Sequence, residues 1–419
     1  MKQLQGGSFA RMVAHVGIYI SVPFCKAKCT FCNFASGVFA ADRMQHYVEH
    51  ICEEVRVARA AAERLGARLP GAVDTVYFGG GTPSLLSAEQ FRLIFEHLRG
   101  EFEVASDAEI TLECAPGQLS DGTLAEMLQQ GMNRISFGVQ SFVDKESAAV
   151  GRLHTRRECE QEIARVRAAG VHEINIDLIA GLPHQTEQSW SYSVEQAIAS
   201  GAPHVSVYML EVDEESRLGR EMLEQGSRYG ATAVPSEDEG ADWYQQACVA
   251  LDAAGLHQYE ISNFARAGHC SRHNLKYWQR GPYLGLGLDA HSMLLTEAGA
   301  LRFANTSDLD EYLGDANIAA SSGLKLLAQK SDPPEIDLIG DAEAFEESLF
   351  LGLRLNDGVR FDHLRGQFGE AMLRNAMPAL LEVREAGLLE LESGRMRLTP
   401  HGRMVSNEVF SRLLIELAP

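Results

Sequence analysis

The sequence predicts an α/β protein: a partial parallel (β/α)6 barrel, followed by a C-terminal α+β module of winged-helix type. Three observations predict it. Six short β-rich runs alternate with helix-like stretches between residues 17 and 210. The helix-like stretches between them end near glycines: Gly100, Gly131, Gly170 and Gly201. The residues with unusual chemistry gather at the C-terminal ends of the expected strands, where a parallel barrel builds its site.

The expected strands are 17–22, 73–78, 108–113, 134–139, 173–179 and 204–210. The first helix runs from Asp42 to about Leu65. Asp42 is placed to cap it, and Met44, Val48, Ile51, Val55 and Ala58 form one apolar stripe. Further helices are expected over 87–98, 120–130, 156–169 and 186–199. After residue 215 the alternation stops. A polar loop (226–240) precedes a helix (241–254), and 271–278 is polar and aromatic. Residues 316–340, with Pro333-Pro334, look irregular. Helices at 344–352, 362–368 and 371–386, a hairpin at 388–398 and a last helix at 401–417 make the C-terminal module. The domains expected are an N-terminal segment (1–16), the barrel (17–215), a barrel extension (216–340) and the C-terminal module (341–419).

Composition narrows the function classes. The 419 residues carry a net charge of −21, which argues against nucleic acid as the partner, because phosphate binding needs clustered Lys and Arg. Eight cysteines, only three of them clustered, do not make a disulfide framework. The N-terminus has no signal-peptide core, and no apolar run is long enough to span a membrane. A cytoplasmic protein in a reducing compartment is the expectation, with peripheral membrane contact left open.

The clustered cysteines are Cys25, Cys29 and Cys32, directly after the first strand. A closed zinc site wants four ligands. Three thiolates suit a [4Fe–4S] cluster whose fourth iron stays open to a small molecule. His46 and His50, spaced i, i+4, lie off the apolar stripe and read as a solvated face rather than as further ligands. Phe31 and Phe34 either shield the cluster or simply pack. Gly79-Gly80-Gly81-Thr82 follows the second strand: either a tight turn or a backbone cradle for a ligand. Glu113, Gln140, Arg152 and Asp177 lie at or after strand ends. Each alone has a local salt bridge or turn as its alternative; together they favour a ligand site. His273, Asn274, Tyr277 and Trp278 form a patch that suits a planar apolar ligand, with a structural histidine as the alternative.

These residues together resemble the radical S-adenosylmethionine (SAM) superfamily, and within it the oxygen-independent coproporphyrinogen III oxidase-like group. The resemblance rests on Tyr19-Ile-Ser-Val-Pro-Phe-Cys25 with Cys29 and Cys32, Tyr77-Phe-Gly-Gly-Gly-Thr-Pro83, Ile135-Ser-Phe-Gly-Val-Gln-Ser-Phe142, Gly151-Arg-Leu-His154 and Asn175-Ile-Asp-Leu-Ile-Ala-Gly-Leu-Pro183. It continues through Tyr259-Glu-Ile-Ser-Asn263, His273-Asn-Leu-Lys-Tyr-Trp278 and Leu284-Gly-Leu-Gly287. One departure is Gly287-Leu-Asp-Ala-His291, where the group more often has Gly-Ala-Gly-Ala-His; Leu288 and Asp289 add bulk there.

The resemblance implies that Cys25, Cys29 and Cys32 ligate a [4Fe–4S] cluster. It implies that Tyr19, Phe31, Gly80, Gly81, Thr82, Glu113, Gln140, Arg152 and Asp177 contact SAM. Arg152 would meet its carboxylate, and Asp177 and Gln140 its ribose. His273 becomes a candidate haem contact, with Tyr277 and Trp278 against the macrocycle. Two branches matter. The decarboxylating oxidases carry another cysteine two positions after the third; here that position is Phe34. The His273–Trp278 element is typical of the haem-chaperone branch. Both cues favour a haem carrier that serves an apo-haemoprotein, with a flavodoxin- or ferredoxin-type electron donor. A porphyrinogen decarboxylase or a radical methyltransferase is the alternative.

Overall fold

The computed structural model describes residues 14–314 and 336–413. Six parallel strands form: β1 (His15–Val22), β2 (Ala72–Gly80), β3 (Glu103–Cys114), β4 (Arg134–Gln140), β5 (Glu173–Ala180) and β6 (His204–Met209). They lie side by side in chain order. The helices between them are α1 (Asp42–Arg64), α2 (Ala88–Glu101), α3 (Asp121–Gln129), α4 (Asp144–Ala149), α5 (Arg156–Ala168) and α6 (Glu187–Ala199). The hydroxyls of Ser87, Ser120, Thr155 and Thr186 cap α2, α3, α5 and α6 by accepting from a first-turn amide. The capping role expected of Asp42 is corrected: Ala41 holds that position, and Asp42 is the first helical residue, where its charge suits the helix dipole.

Each strand alternates, and the alternation separates two environments. One face carries Ile18, Ile20, Val76, Phe78, Ile110, Leu112, Ile135, Phe137, Ile174, Ile176, Val205 and Val207, all buried in the main core. Phe78, for example, meets Phe91 and Phe95 of α2 at 5.2 and 5.6 Å between ring centres. The other face lines the barrel interior and is largely polar. Register aligns it in rows: Gly17 with Thr75, Tyr19 with Tyr77, Ser21 with Gly79, Glu113 with Ser136, Ser136 with Asn175, and Asp177 with Ser206. A polar interior is costly unless its groups are bonded to each other or to a ligand.

The rest of the chain completes the sheet on both edges. Beyond β6, α7 (Arg217–Leu223) and α8 (Glu237–Ala253) lead to β7 (His257–Gln258) and β8 (Asn263–Ala265), and β8 pairs antiparallel with β6. The polar segment before α8 contains a short turn of helix at Arg228–Ala233, and α8 starts four residues before the expected 241 because Ser236 caps it. Then α9 (Arg272–Trp278) crosses the barrel interior. On the far edge β9 (Tyr283–Leu286) pairs parallel with β1. It continues antiparallel through β10 (His291–Thr296), β11 (Ala300–Ala304) and, after α10 (Leu309–Leu313), β12 (Asp337–Ile339). The sequence reading assigned no strands to this stretch; the turn at Gly287-Leu-Asp-Ala-His291 joins β9 to β10. Pro333-Pro334 lies outside the described residues.

The C-terminal module has its own core, around Leu353, Leu364, Leu380, Val383, Met396 and Val409. It comprises α11 (Asp341–Leu353), β13 (Val359–Arg360), α12 (Phe361–Glu385), the hairpin β14 (Leu389–Glu392) and β15 (Arg395–Leu398), α13 (Pro400–Met404) and α14 (Ser406–Leu413). The two helices expected over 362–386 abut at Gly369, whose φ of 85° breaks the run. The single last helix is corrected to two, α13 and α14, interrupted at Val405; residues 414–417 of the expected helix lie outside the described residues. Glu347 of α11 pins the module to the barrel through Arg280 (2.8 Å) and Arg302 (2.6 Å).

Candidate functional site

The loop after β1 carries Cys25, Cys29 and Cys32, all half-buried free thiols. Its backbone folds back on itself: the Cys25 amide donates to Gly37 (2.8 Å) and the Gly37 amide to Pro23 (2.9 Å). Neighbouring loops hold it from three sides. Thr30 donates to Val150 after α4, Leu218 of α7 donates to Thr30, and the amides of Gly81 and Thr82 donate to Val22 and Phe24. That last contact requires glycine, because a Cβ on Gly81 would sit 2.8 Å from the Val22 oxygen and 2.9 Å from that of Phe24.

Each cysteine sulfur has a polar side chain beside it. The Thr82 hydroxyl donates toward Cys25 Sγ (3.8 Å), Arg152 Nη1 toward Cys29 Sγ (3.4 Å), and Ser36 Oγ lies 3.9 Å from Cys32 Sγ. Burial pushes the Cys25 thiol up. The hydroxyls of Thr82 and Ser36 partly offset this, while Cys32 and Cys29 add to the rise. Thiolates this close together would repel one another, and a bound cationic metal group would offset that repulsion. Donors aimed at the sulfurs are what tunes such a group.

Beside the loop, the upper barrel interior collects the other expected residues. Glu113 ends β3 and accepts from the Tyr77 hydroxyl (2.8 Å). Burial raises its carboxyl to about 7, against the Tyr77 hydrogen bond and with Asp177 adding to the rise. Asp177 accepts from Asn175 Nδ2 (2.7 Å) and Ser136 Oγ (3.2 Å), and burial raises its carboxyl too. Gln140 sits at a bulge in the β4–β5 pairing with φ 68°, a strained conformation for a residue with a side chain. Its Oε1 is buried without a partner, as is Nε of Arg152. Arg152 also donates to the Gly138 carbonyl. Gly80, at φ 100°, lies over Ser21, and Tyr19 stacks on Tyr77 (6.0 Å).

Phe31 packs with Val150, Ile179 and Leu182, at one side of the loop. Phe34 is 61% exposed, so it covers little of the loop and instead lines a cavity of about 330 Å³. Tyr19, Gly80, Gly81, Tyr277, Tyr283, Asp289 and His291 line the same cavity.

Two expectations are corrected. His50 is buried against Tyr312 (5.1 Å between ring centres), so only His46 is on a solvated face. The residues from His273 to Trp278 are not one patch. His273 is inside the barrel and 1% exposed, its ring nitrogens bonded to Thr75 Oγ1 (2.8 Å) and Tyr277 OH (2.9 Å), stacked on Tyr77. Burial holds its imidazole down at about 3, hence neutral. Asn274 lies in the first turn of α9, where its backbone amide donates to the Ser271 hydroxyl that caps the helix. Tyr277 reaches the cavity, whereas Trp278 lies under the Arg354 guanidinium (4.5 Å) against the C-terminal module. One turn of helix necessarily points successive side chains in different directions.

Sequence reasoning missed the interior polar groups Thr75 and Tyr77, bonded to His273 and Glu113, and a row in which Asn175 Nδ2 donates to Ser136 Oγ (2.7 Å) and Ser206 Oγ (3.0 Å) and Asn175 Oδ1 meets His204 Nδ1 (2.6 Å). The period-two polar pattern within each strand was the signal. It also missed Glu54 of α1. Its carboxylate accepts from the Gly287 amide (2.7 Å), Asn305 (2.9 Å) and Tyr312 (2.8 Å).

Comparison with known proteins agrees with this geometry. Residues 19–197 match the radical SAM superfamily and residues 341–405 the HemN C-terminal domain. The heme chaperone HemW of Bacillus subtilis is 31% identical, with 95% of this chain and 99% of that protein aligned. The HemW of Synechocystis is 34% identical over 83% and 79%. The solved coproporphyrinogen III oxidase HemN of Escherichia coli has the same fold, with a TM-score of 0.77 at 21% identity, covering 98% of this chain and 93% of that one. The barrel, its cysteine loop and near full-length similarity therefore lead to one conclusion: this chain belongs to the HemW family of the radical SAM superfamily.

Proposed function

We propose that the protein is a haem chaperone: it holds a [4Fe–4S] cluster and SAM at the top of the barrel, binds haem beside them, and passes haem to an apo-haemoprotein. The observation that carries the SAM and cluster part is the convergence on one strand-end rim of three donor-flanked thiols, two half-buried carboxyls and two unpartnered buried polar atoms.

Cys25, Cys29 and Cys32 would hold the cluster, which supplies an open iron and one-electron chemistry. An electron donor of flavodoxin or ferredoxin type belongs to this reading. The chain's own groups match the polar parts of SAM. The unpartnered Nε of Arg152 suits its carboxylate and the Glu113 carboxylate its ammonium, while Asp177 and Gln140 Oε1 suit its ribose hydroxyls. Phe31 packs at one side of the cysteine loop, Thr82 lies beside Cys25, and Tyr19, Gly80 and Gly81 form the wall shared with the neighbouring aromatic cavity. For haem, the aromatic cavity of Tyr19, Phe34, Tyr277 and Tyr283 offers flat apolar faces. Its volume of about 330 Å³ is at the low end for ligand sites, about 300–1,000 Å³, so a macrocycle would protrude.

A parallel anaerobic assay tests the proposal. The reconstituted protein is titrated with haem, mixed with an apo-haemoprotein, and separately given coproporphyrinogen III with SAM and a reductant. Stable haem binding with transfer, and no decarboxylation, is the expected result. Decarboxylation without a stable haem complex overturns it in favour of the oxidase reading.

A further inference from the structure

We infer that His291 is the axial ligand to the iron of bound haem, with Asp289 orienting its imidazole. The inference rests on the haem reading of the site and names the residue that reading leaves open.

His273 is the residue the sequence motif offers for haem, but its ring lies inside the barrel with both nitrogens bonded. Ligation by His273 would break a bond to Thr75 or Tyr277 and draw α9 out of the interior. Among the described residues lining the aromatic cavity, His291 is the one imidazole. Its side chain is exposed, so an iron reaches it without rearrangement of the core. The cavity's other walls are Tyr19, Phe34, Tyr277 and Tyr283, surfaces that a flat macrocycle stacks on. A neutral imidazole backed by a carboxylate is a strong ligand for haem iron. Asp289 lines the same cavity, two residues before His291 in the turn between β9 and β10.

The local backbone is built to hold this pair. Asp289 has φ 56°, a conformation that glycine takes more easily, yet the chain spends an aspartate there. The turn is locked from both ends. Asp289 N donates to Thr306 (2.9 Å), Asn305 N to Ala290 (3.0 Å) and Leu288 N to the Tyr47 hydroxyl (2.7 Å). Glu54 and Asn305 grip Gly287. Leu288, the other added side chain of this turn, is buried in the main core. A rigid turn presenting an exposed imidazole and a neighbouring carboxylate to an aromatic cavity is preorganised for a ligand.

The test uses the full chain, loaded anaerobically with its cluster, and ferric haem as the probe. Magnetic circular dichroism and electron paramagnetic resonance distinguish imidazole-ligated haem from the iron–sulfur signal. The wild-type protein and His46→Ala are expected to show imidazole ligation. His291→Ala should lose that signature and at least about tenfold in haem affinity, since even outer-shell changes cost metal sites about 10–100-fold. Added free imidazole should restore the signature. Asp289→Asn should keep the ligand but weaken binding about tenfold. His291→Gln, a polar side chain of similar reach, is the second variant if His291→Ala does not fold. A variant lacking the His291 imidazole that retains wild-type ligation overturns the assignment and leaves the chaperone reading standing. A wild-type protein that binds no haem overturns the chaperone reading itself.

Discussion

Glu113→Gln tests whether the upper barrel is built around a ligand rather than for its own stability. Burial raises the Glu113 carboxyl from 4.5 to about 7, so the folded, ligand-free protein prefers it protonated. The stabilising contribution of that proton is complete below about pH 4.5 and is lost as the pH rises through about 7. At about 1.4 kcal/mol per pH unit, the rise sets a ceiling of about 3.5 kcal/mol on the cost of holding the ionised group at pH 8. The carboxyl is only half-buried and accepts from Tyr77, so about 1–2 kcal/mol is the figure to expect. Glutamine keeps an acceptor for Tyr77 and removes the charge. Ligand-free Glu113→Gln should therefore resist urea better than wild type at pH 8, and the advantage should vanish near pH 5. The same substitution should weaken SAM, whose ammonium would pair with the carboxylate. Calorimetry in buffers of different ionisation enthalpy near pH 6.5 should find a proton released on SAM binding to wild type and none with the variant. A Glu113→Gln protein that is less stable than wild type at pH 8 would refute the reasoning, because the carboxylate would then be a structural asset.

Other substitutions probe other parts of the site. Gly81→Ala drives a Cβ against the Val22 and Phe24 carbonyls and should cost about 1–3 kcal/mol in denaturant unfolding, with poorer cluster retention by iron analysis. Gln140→Gly removes both a strained left-handed side chain and an unpartnered acceptor, so stability should stay within about 1 kcal/mol while SAM affinity falls about tenfold by calorimetry. Arg152→Lys removes the donor fork beside Cys29, and a midpoint potential more negative than wild type by spectroelectrochemistry is the expected result. Glu54→Ala leaves the Gly287 amide, Asn305 and Tyr312 without their buried acceptor. About 3 kcal/mol or more of stability should be lost in equilibrium unfolding.

Much of this was legible in the chain itself. The six barrel strands and their helices lie within a few residues of the expected positions, because Ser87, Ser120, Thr155 and Thr186 cap helices locally and the strands are short runs of β-branched residues. Cys25, Cys29 and Cys32 were readable because their grouping is local: the three thiols lie within eight residues of one another. Glu113, Gln140, Arg152 and Asp177 could be picked out because parallel strands put all their C-terminal ends on one side.

Long-range placement was not legible, because no local pattern records which distant side chain fills a bond. Sequence alone determined the barrel, the thiol loop and the residue types at the strand ends. The tertiary structure alone decided that His273 turns inward to Thr75 and Tyr277 while Trp278 turns outward to Arg354. It alone brought Asp289 and His291, more than 250 residues from the cysteines, to the cavity beside Phe34. The physical reason is that α9 and the β9–β10 turn are positioned by pairing with β1 and by buried contacts to Glu109 and Glu54, and those contacts exist only once the barrel has closed.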